Sequence, residues 1–136
     1  MVKVIMGLKG HGKTKQLIEL VRRASDEEHG NVVCIEKDEA LRYDIPMSVR
    51  LIKLSDYKLS GYTALKGFLC GLCAGNYDIT HIFIDGLFKL AGTDSLNEAE
   101  EFLDWCDTFS AREDVKFTMT ISADEAAATD GIKKYF

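Results

Sequence analysis

The chain has 136 residues, 46% of them hydrophobic and only one a proline, which suits a single globular domain over 1–136 with a real core. Its 17 basic and 22 acidic residues give a formal charge of -5, so a broad cationic surface for nucleic acid is not expected. The most apolar stretch, Tyr62 to Tyr77, contains Lys66 and is shorter than the roughly 20 apolar residues a spanning helix needs, so it reads as a buried helix and no membrane span is expected.

Val2 to Met6 is a short β-rich run ending at a glycine. From Lys15 to Ala24, the residues Leu17, Ile18, Leu20, Val21 and Ala24 recur at helical spacing. The chain therefore opens as strand, loop, helix. Asn31 to Glu36 is almost wholly apolar and is bounded by Gly30 and the charged Lys37-Asp38-Glu39, as expected of a parallel strand covered on both faces. Val49 to Leu54 predicts a third strand, and Arg50 and Lys53 place it at a sheet edge. Thr63 to Ala74 puts Leu65, Phe68, Leu69, Leu72 and Cys73 on one stripe, which predicts a crossover helix. Ile79 to Asp85 predicts an apolar strand ending on an acid. Ser95 to Phe109 predicts a helix opened by the capping pair Ser95 and Glu98, with Leu96, Ala99, Phe102, Leu103, Cys106 and Phe109 facing inward. Its outer face, with Glu98, Glu101, Asp104 and Asp107, reads as solvated surface. Val115 to Ser122 predicts the last strand, and Asp124 to Phe136 a short helix broken at Gly131. Strands alternating with helices argue for the α/β class, as a three-layer α/β/α sandwich around a mainly parallel sheet.

Within the first loop, Gly7-Leu8-Lys9-Gly10-His11-Gly12-Lys13-Thr14 matches the pattern G-x-x-x-x-G-K-[ST] at every fixed position. Its three glycines let the backbone turn N–H groups inward onto phosphate oxygens, an approach that side chains would obstruct. All eight residues are candidate nucleotide-binding positions. Lys13 is then placed to reach the β and γ phosphates as a binding and catalytic cation, and Thr14 to hold Mg2+ by its hydroxyl. The dipole of the following helix adds a favourable field. At average residue frequencies such a pattern arises by chance in roughly one chain in two hundred of this length, and the strand before it and amphipathic helix after it narrow the odds further. ATP or GTP with Mg2+ is the expected ligand, the base being left open by a loop that grips phosphates.

This is the Walker A signature, and from Val2 to about Ser122 the chain resembles the P-loop NTPase superfamily. The resemblance implies a minimal P-loop NTPase fold of the RecA-like branch. Ile82-Phe83-Ile84-Asp85 is similar to a Walker B strand, which implies that Asp85 binds Mg2+ through water. Thr120 and Ser122, on the next strand, match in position the polar residue that senses the γ-phosphate; a plain strand end is the alternative. Many ATPases of the superfamily place a glutamate directly after the Walker B acid, where this sequence has Gly86. The RecA-like branch also places one at the end of the strand that follows the P-loop helix. That implies Glu36 as catalytic base, with Asp38 in reserve and a solvent-facing acid as the alternative. Arg42, Arg50 and Arg112 are candidate arginine fingers, a group that a neighbouring subunit often supplies. In layout the chain is also similar to small bacterial proteins related to the twitching-motility (pilus retraction) ATPases, without the separate N-terminal domain of those motors.

The expected function is a Mg2+-dependent, ATP-favouring NTPase of the cytoplasm, working as a homo-oligomer or with a partner protein. Two other readings stay open: a small-molecule kinase with its acceptor site in Lys37 to Gly61, and a non-hydrolysing nucleotide switch, which Gly86 makes plausible. With the first strand beginning at Val2 no leader peptide is expected, and Cys34, Cys70, Cys73 and Cys106 should stay reduced. Cys70-Gly-Leu-Cys73 has the spacing of a metal or redox pair, but it lies in an apolar stripe with no second pair and reads as core. His11, His29 and His81 are scattered, His11 within the loop.

Overall fold

The computed structural model describes every residue from Met1 to Phe136. Five strands, β1 (Val2–Gly7), β2 (Asn31–Glu36), β3 (Arg50–Lys53), β4 (Ile79–Ile84) and β5 (Lys116–Ser122), form one sheet in the order β1-β5-β4-β2-β3. Every neighbouring pair is parallel. The helices are α1 (Lys13–Glu27), α2 (Tyr62–Gly75), α3 (Leu87–Ala91), α4 (Leu96–Glu113) and α5 (Asp130–Lys133). The chain is thus of the α/β class, and its weakest strand, β3, lies at an edge as its two basic residues suggest.

The strand order dictates where the helices go. Parallel neighbours need crossover connections, and strand twist makes these right-handed. From β1 to β2 the chain moves across the sheet in one direction, whereas from β3 to β4 and on to β5 it moves back. Right-handed crossovers in opposite directions use opposite faces. Accordingly Leu17, Val21 and Ala24 of α1 pack with Val32, Cys34 and Phe83 on one face, joined by Leu41 and Val49 from the β2–β3 connection. On the other face Leu65 and Leu69 of α2 and Phe102, Cys106 and Phe109 of α4 pack on Val33, Ile35, Ile82, Ile84, Phe117 and Met119. Helices on both faces are compatible with the expected three-layer arrangement. Helix α1 touches β1, β5, β4 and β2. Its 15 residues span about 22 Å, enough to cross three inter-strand gaps of about 4.8 Å.

Several boundaries differ from the sequence reading. Helix α4 runs past Phe109 to Glu113 and stops at Asp114, whose φ of 54° is left-handed; no glycine marks that stop. Its cap is half of the expected pair. Ser95 Oγ accepts from the Glu98 N–H at 3.3 Å, but the Ser95 N–H donates to Thr93 Oγ1 at 3.2 Å instead of to Glu98. Helix α2 is amphipathic rather than buried all round, with Leu65, Leu69 and Cys73 inside and Cys70 and Gly71 exposed. Gly131 does not break the last helix. The interruption comes earlier, at Ala128 and Thr129, and the Thr129 hydroxyl caps α5 by accepting from the Ile132 N–H at 3.2 Å. The acidic face of α4 is exposed, as the sequence suggests, and Asp104 on it also makes contacts. Asp104 accepts from Tyr135 Oη at 2.6 Å and pairs with Lys134 at 3.2 Å, and the Tyr135 carbonyl accepts from the Val4 N–H at 2.7 Å on the outer edge of β1. No helix is long and apolar enough to cross a membrane.

Leu17 is fully buried between α1 and the sheet, so Leu17→Ala removes packing that the surroundings only partly refill. It should cost about 2–5 kcal/mol in urea unfolding followed by circular dichroism, while Glu19→Ala on the exposed side of α1 should stay within about 0.5 kcal/mol.

Candidate functional site

An all-parallel sheet delivers the carboxyl ends of its strands to one end of the molecule, where ligands of open α/β sheets bind. Register fixes which residues meet there: Gly7 is level with Ser122, Ile84 with Met119, and Ile35 with Ile84. The glycine loop after β1, Asp85 after β4, and Thr120 and Ser122 at the end of β5 therefore converge, while Glu36 at the end of β2 lines a separate cavity alongside.

Gly10 (φ 86°) and Gly12 (φ 82°) are both left-handed, a conformation that residues with a Cβ adopt at a cost of about 1–2 kcal/mol. The second of these turns delivers the chain directly into α1, with Gly12 as the N-cap. No side chain caps this helix and no acid stands in its first turn. Its first closing bond runs from the Gln16 N–H to the Gly12 carbonyl at 3.1 Å, so helix geometry leaves the amides of Lys13, Thr14 and Lys15 without intrahelical acceptors. The Lys13 stem lies back over Gly7, where an added Cβ would sit 3.6 Å from Cγ, and its ammonium donates to the Leu8 carbonyl at 3.0 Å.

Asp85 is held from several directions. Its own N–H donates to the Ile35 carbonyl at 2.9 Å. The buried Thr120 hydroxyl donates to Asp85 Oδ1 at 2.8 Å and accepts from the Gly86 N–H at 2.8 Å. Thr14 Oγ1 stands 3.4 Å from both carboxylate oxygens. Thr120 is thus a positioning residue for Asp85 rather than a plain strand end. Gly86 also has a physical reason: its φ of 79° is left-handed and it caps α3, so a glutamate there would be strained.

These groups line a cavity of about 350 Å³ that also takes in Lys9, Gly10, Gly12, Lys15, Phe88, Lys89 and Ser122. Four lysines face one carboxylate there, on a chain whose net charge is -5. Burial pulls the Lys13 ammonium below the ordinary lysine range; Asp85 opposes that shift and Lys89 reinforces it. An anion in the cavity would meet opposed lysines and free amides together. A hydroxyl beside a carboxylate is a hard oxygen pair that fits Mg2+, an ion that keeps waters and phosphate oxygens as its other ligands. No cluster of three or more His, Cys, Asp or Glu offers a fuller protein cage. Another cavity, about 420 Å³ beside β1, is lined by Lys3, Ile5, Glu19, Leu20, Arg23 and Phe136; its charges are mixed, and it has no comparable set of donors.

The structure therefore brings together Gly10, Gly12, Lys13, Thr14 and Asp85 as the sequence anticipates, with Lys9 on the rim and Leu8 contributing its carbonyl. His11 is exposed in the loop. Lys89 was missed, because α3 is too short to show a helical period. Arg42 and Arg50 line a separate cavity of about 210 Å³ with Glu36, Asp38 and Glu39, and Arg112 pairs with Glu113 on α4, so neither the three arginines nor the expected base Glu36 and its reserve Asp38 line the lysine-lined cavity. His81 is buried in a polar network away from this site, 2.7 Å from Glu28 Oε2 and 2.9 Å from Thr118 Oγ1. Cys73 faces the core, where burial pushes its thiol up to about 11, while Cys70 is exposed. Neither a protein-family model nor a curated protein sequence matches the chain.

Glu36 is buried, not solvent-facing, and its carboxylate accepts from the Leu41 N–H at 3.1 and 3.3 Å. Burial holds its carboxyl above the ordinary glutamate range; the Leu41 amide pulls the other way and Asp85 pushes further up. The folded chain thus binds this proton more tightly than the unfolded chain. Ionisation subtracts stability as pH rises from about 4.5 through the raised folded value. Glu36→Gln keeps an acceptor for Leu41 and cannot ionise, so its thermal midpoint should exceed that of the parent near pH 7, with the gap closing toward pH 4. A parent that is the more stable near pH 7 would contradict this.

Proposed function

We propose that the chain is a minimal P-loop NTPase of the RecA-like type. In this reading it binds a nucleoside triphosphate, ATP favoured, with Mg2+ and hydrolyses it in the cytoplasm as an oligomer or with a partner protein. One observation carries the reading: four lysines and the uncapped amino end of α1 surround a cavity whose single acid, Asp85, stands beside the Thr14 hydroxyl. That charge pattern suits a polyphosphate, and the adjacent oxygen pair suits its metal.

In this reading Lys13 leaves the Leu8 carbonyl for the β and γ phosphate oxygens, and the loop amides surround the same phosphates. Thr14, and Asp85 through water, would hold Mg2+, which would neutralise charge on the phosphate oxygens. Thr120 keeps Asp85 oriented toward it. A water oxygen forms a bond to the γ-phosphorus while the bond to the bridging oxygen breaks, and that electron pair leaves on ADP. The water proton passes to Glu36, which lines the neighbouring cavity and would have to turn from the Leu41 amide toward the phosphates; its burial near Asp85 makes it a stronger base than an exposed glutamate. Products are ADP and inorganic phosphate.

A second reading, a small-molecule kinase, draws on the cavity formed by Glu36, Asp38, Arg42 and Lys53 within the β2–β3 connection and its flanks. There Glu36 would take its proton from an acceptor hydroxyl instead of water. Screening nucleosides and sugars for phosphate acceptance separates the two.

The test is phosphate release with Mg2+ and ATP, paired with calorimetric binding. Lys13→Ala should weaken binding by roughly 100-fold or more. Glu36→Gln should retain binding and lower turnover by about 100-fold. Unchanged turnover in Glu36→Gln would confine Glu36 to holding the loop at Leu41, and tight binding without turnover by the parent would make the chain a nucleotide switch.

A further inference from the structure

Helix α3 has five residues, and its ends are both set by left-handed glycines, Gly86 and Gly92. Leu87, Leu90 and Ala91 are buried in the core, which leaves Phe88 and Lys89 to face outward, and both line the lysine-lined cavity. The Lys89 stem lies back across Gly86, the residue directly after Asp85, with Cδ 3.5 Å from where a Cβ on Gly86 would be. A Cβ at 86 would make ordinary contact with that stem; the left-handed φ of 79° is what disfavours any other residue there. Lys89, like Lys9, Lys13 and Lys15 in the same cavity, forms no ion pair; only Lys53, Lys116 and Lys134 do. An unpaired ammonium directed toward other lysines is electrostatically unfavourable by itself and favourable once a polyanion lies between them. No arginine of the chain reaches this cavity.

Building on the proposed nucleotide site, we infer that Lys89 is a catalytic residue that contacts the γ-phosphoryl group alongside Lys13, so that the chain carries in itself the cation that a neighbour's arginine would otherwise supply. During transfer, negative charge moves onto the oxygens of the departing phosphoryl group and the leaving ADP. A second ammonium lining the same cavity offsets that charge without accepting or giving a proton. Gly86 and α3 then have a joint purpose, since the left-handed turn after Asp85 folds the helix back and brings Lys89 over the site. Oligomerisation or a partner would serve to couple turnover to a task, with the chemistry complete in one chain.

The experiment measures phosphate release and ATP affinity for the intact chain, Lys89→Met and Lys89→Arg, each with Mg2+ and across a protein concentration series. Circular dichroism confirms that the variants fold; Lys89 is exposed and outside the core. The inference expects turnover to fall about 100-fold in Lys89→Met with ATP affinity changed less than about 10-fold, substantial recovery in Lys89→Arg, and specific activity of the parent that does not rise with protein concentration. Unchanged turnover in Lys89→Met, or activity that climbs with concentration as a shared site requires, would overturn it while leaving the nucleotide site standing. Binding of ATP without turnover by the isolated chain would also overturn it. A parent that binds no ATP would remove both this inference and the reading beneath it.

Discussion

An excess of positive charge in one cavity at the end of a parallel sheet, with Asp85 as the single acid in its lining, is the constraint around which this molecule is arranged. Lys9, Lys13, Lys15 and Lys89 line one cavity in a chain that is acidic as a whole. Like charges at such spacing raise the free energy of the empty site, and burial of Lys13 adds to it. The Leu8 carbonyl relieves part of this by accepting from the Lys13 ammonium. A multiply charged anion between the lysines would relieve the rest.

The sheet makes that concentration attainable. Because every strand is parallel and β5 lies between β1 and β4, the glycine loop and Asp85 stand one strand apart, with Thr120 between them. Thr118 and Thr120 face α1 and are both buried, on a face that also carries the buried His81. Each is satisfied by a specific partner, Thr120 by Asp85 and the Gly86 amide, Thr118 by His81. Two hydroxyls thus replace methyl groups where two polar clusters need anchoring, one at each end of the sheet.

Much of this was legible in the residues, and what was not has identifiable causes. The five strands and three longer helices follow from runs and periods long enough to exceed noise, and the loop declares itself through its glycines and Lys13. Strand order is not written in any local pattern, so the insertion of β5 beside β1, and with it the role of Thr120, emerges only in three dimensions. Helix α3 has too few residues for a period, which hid Lys89. Gly86 could be read only as a departure from a motif until its left-handed φ supplied the reason. Glu36 shows how position and environment differ: the sequence places it at the right strand end, while its burial and its bond to Leu41 come from the folding of the 37–41 turn.

The most direct test of the central claim is titration calorimetry of the chain, with Mg2+ present, against tripolyphosphate, ATP and AMP over a range of salt concentrations. A cradle built on amides and lysines should bind tripolyphosphate and ATP, discriminate against AMP, and lose affinity steadily as salt rises. Absence of heat with both polyphosphates at low salt would contradict the account at its base.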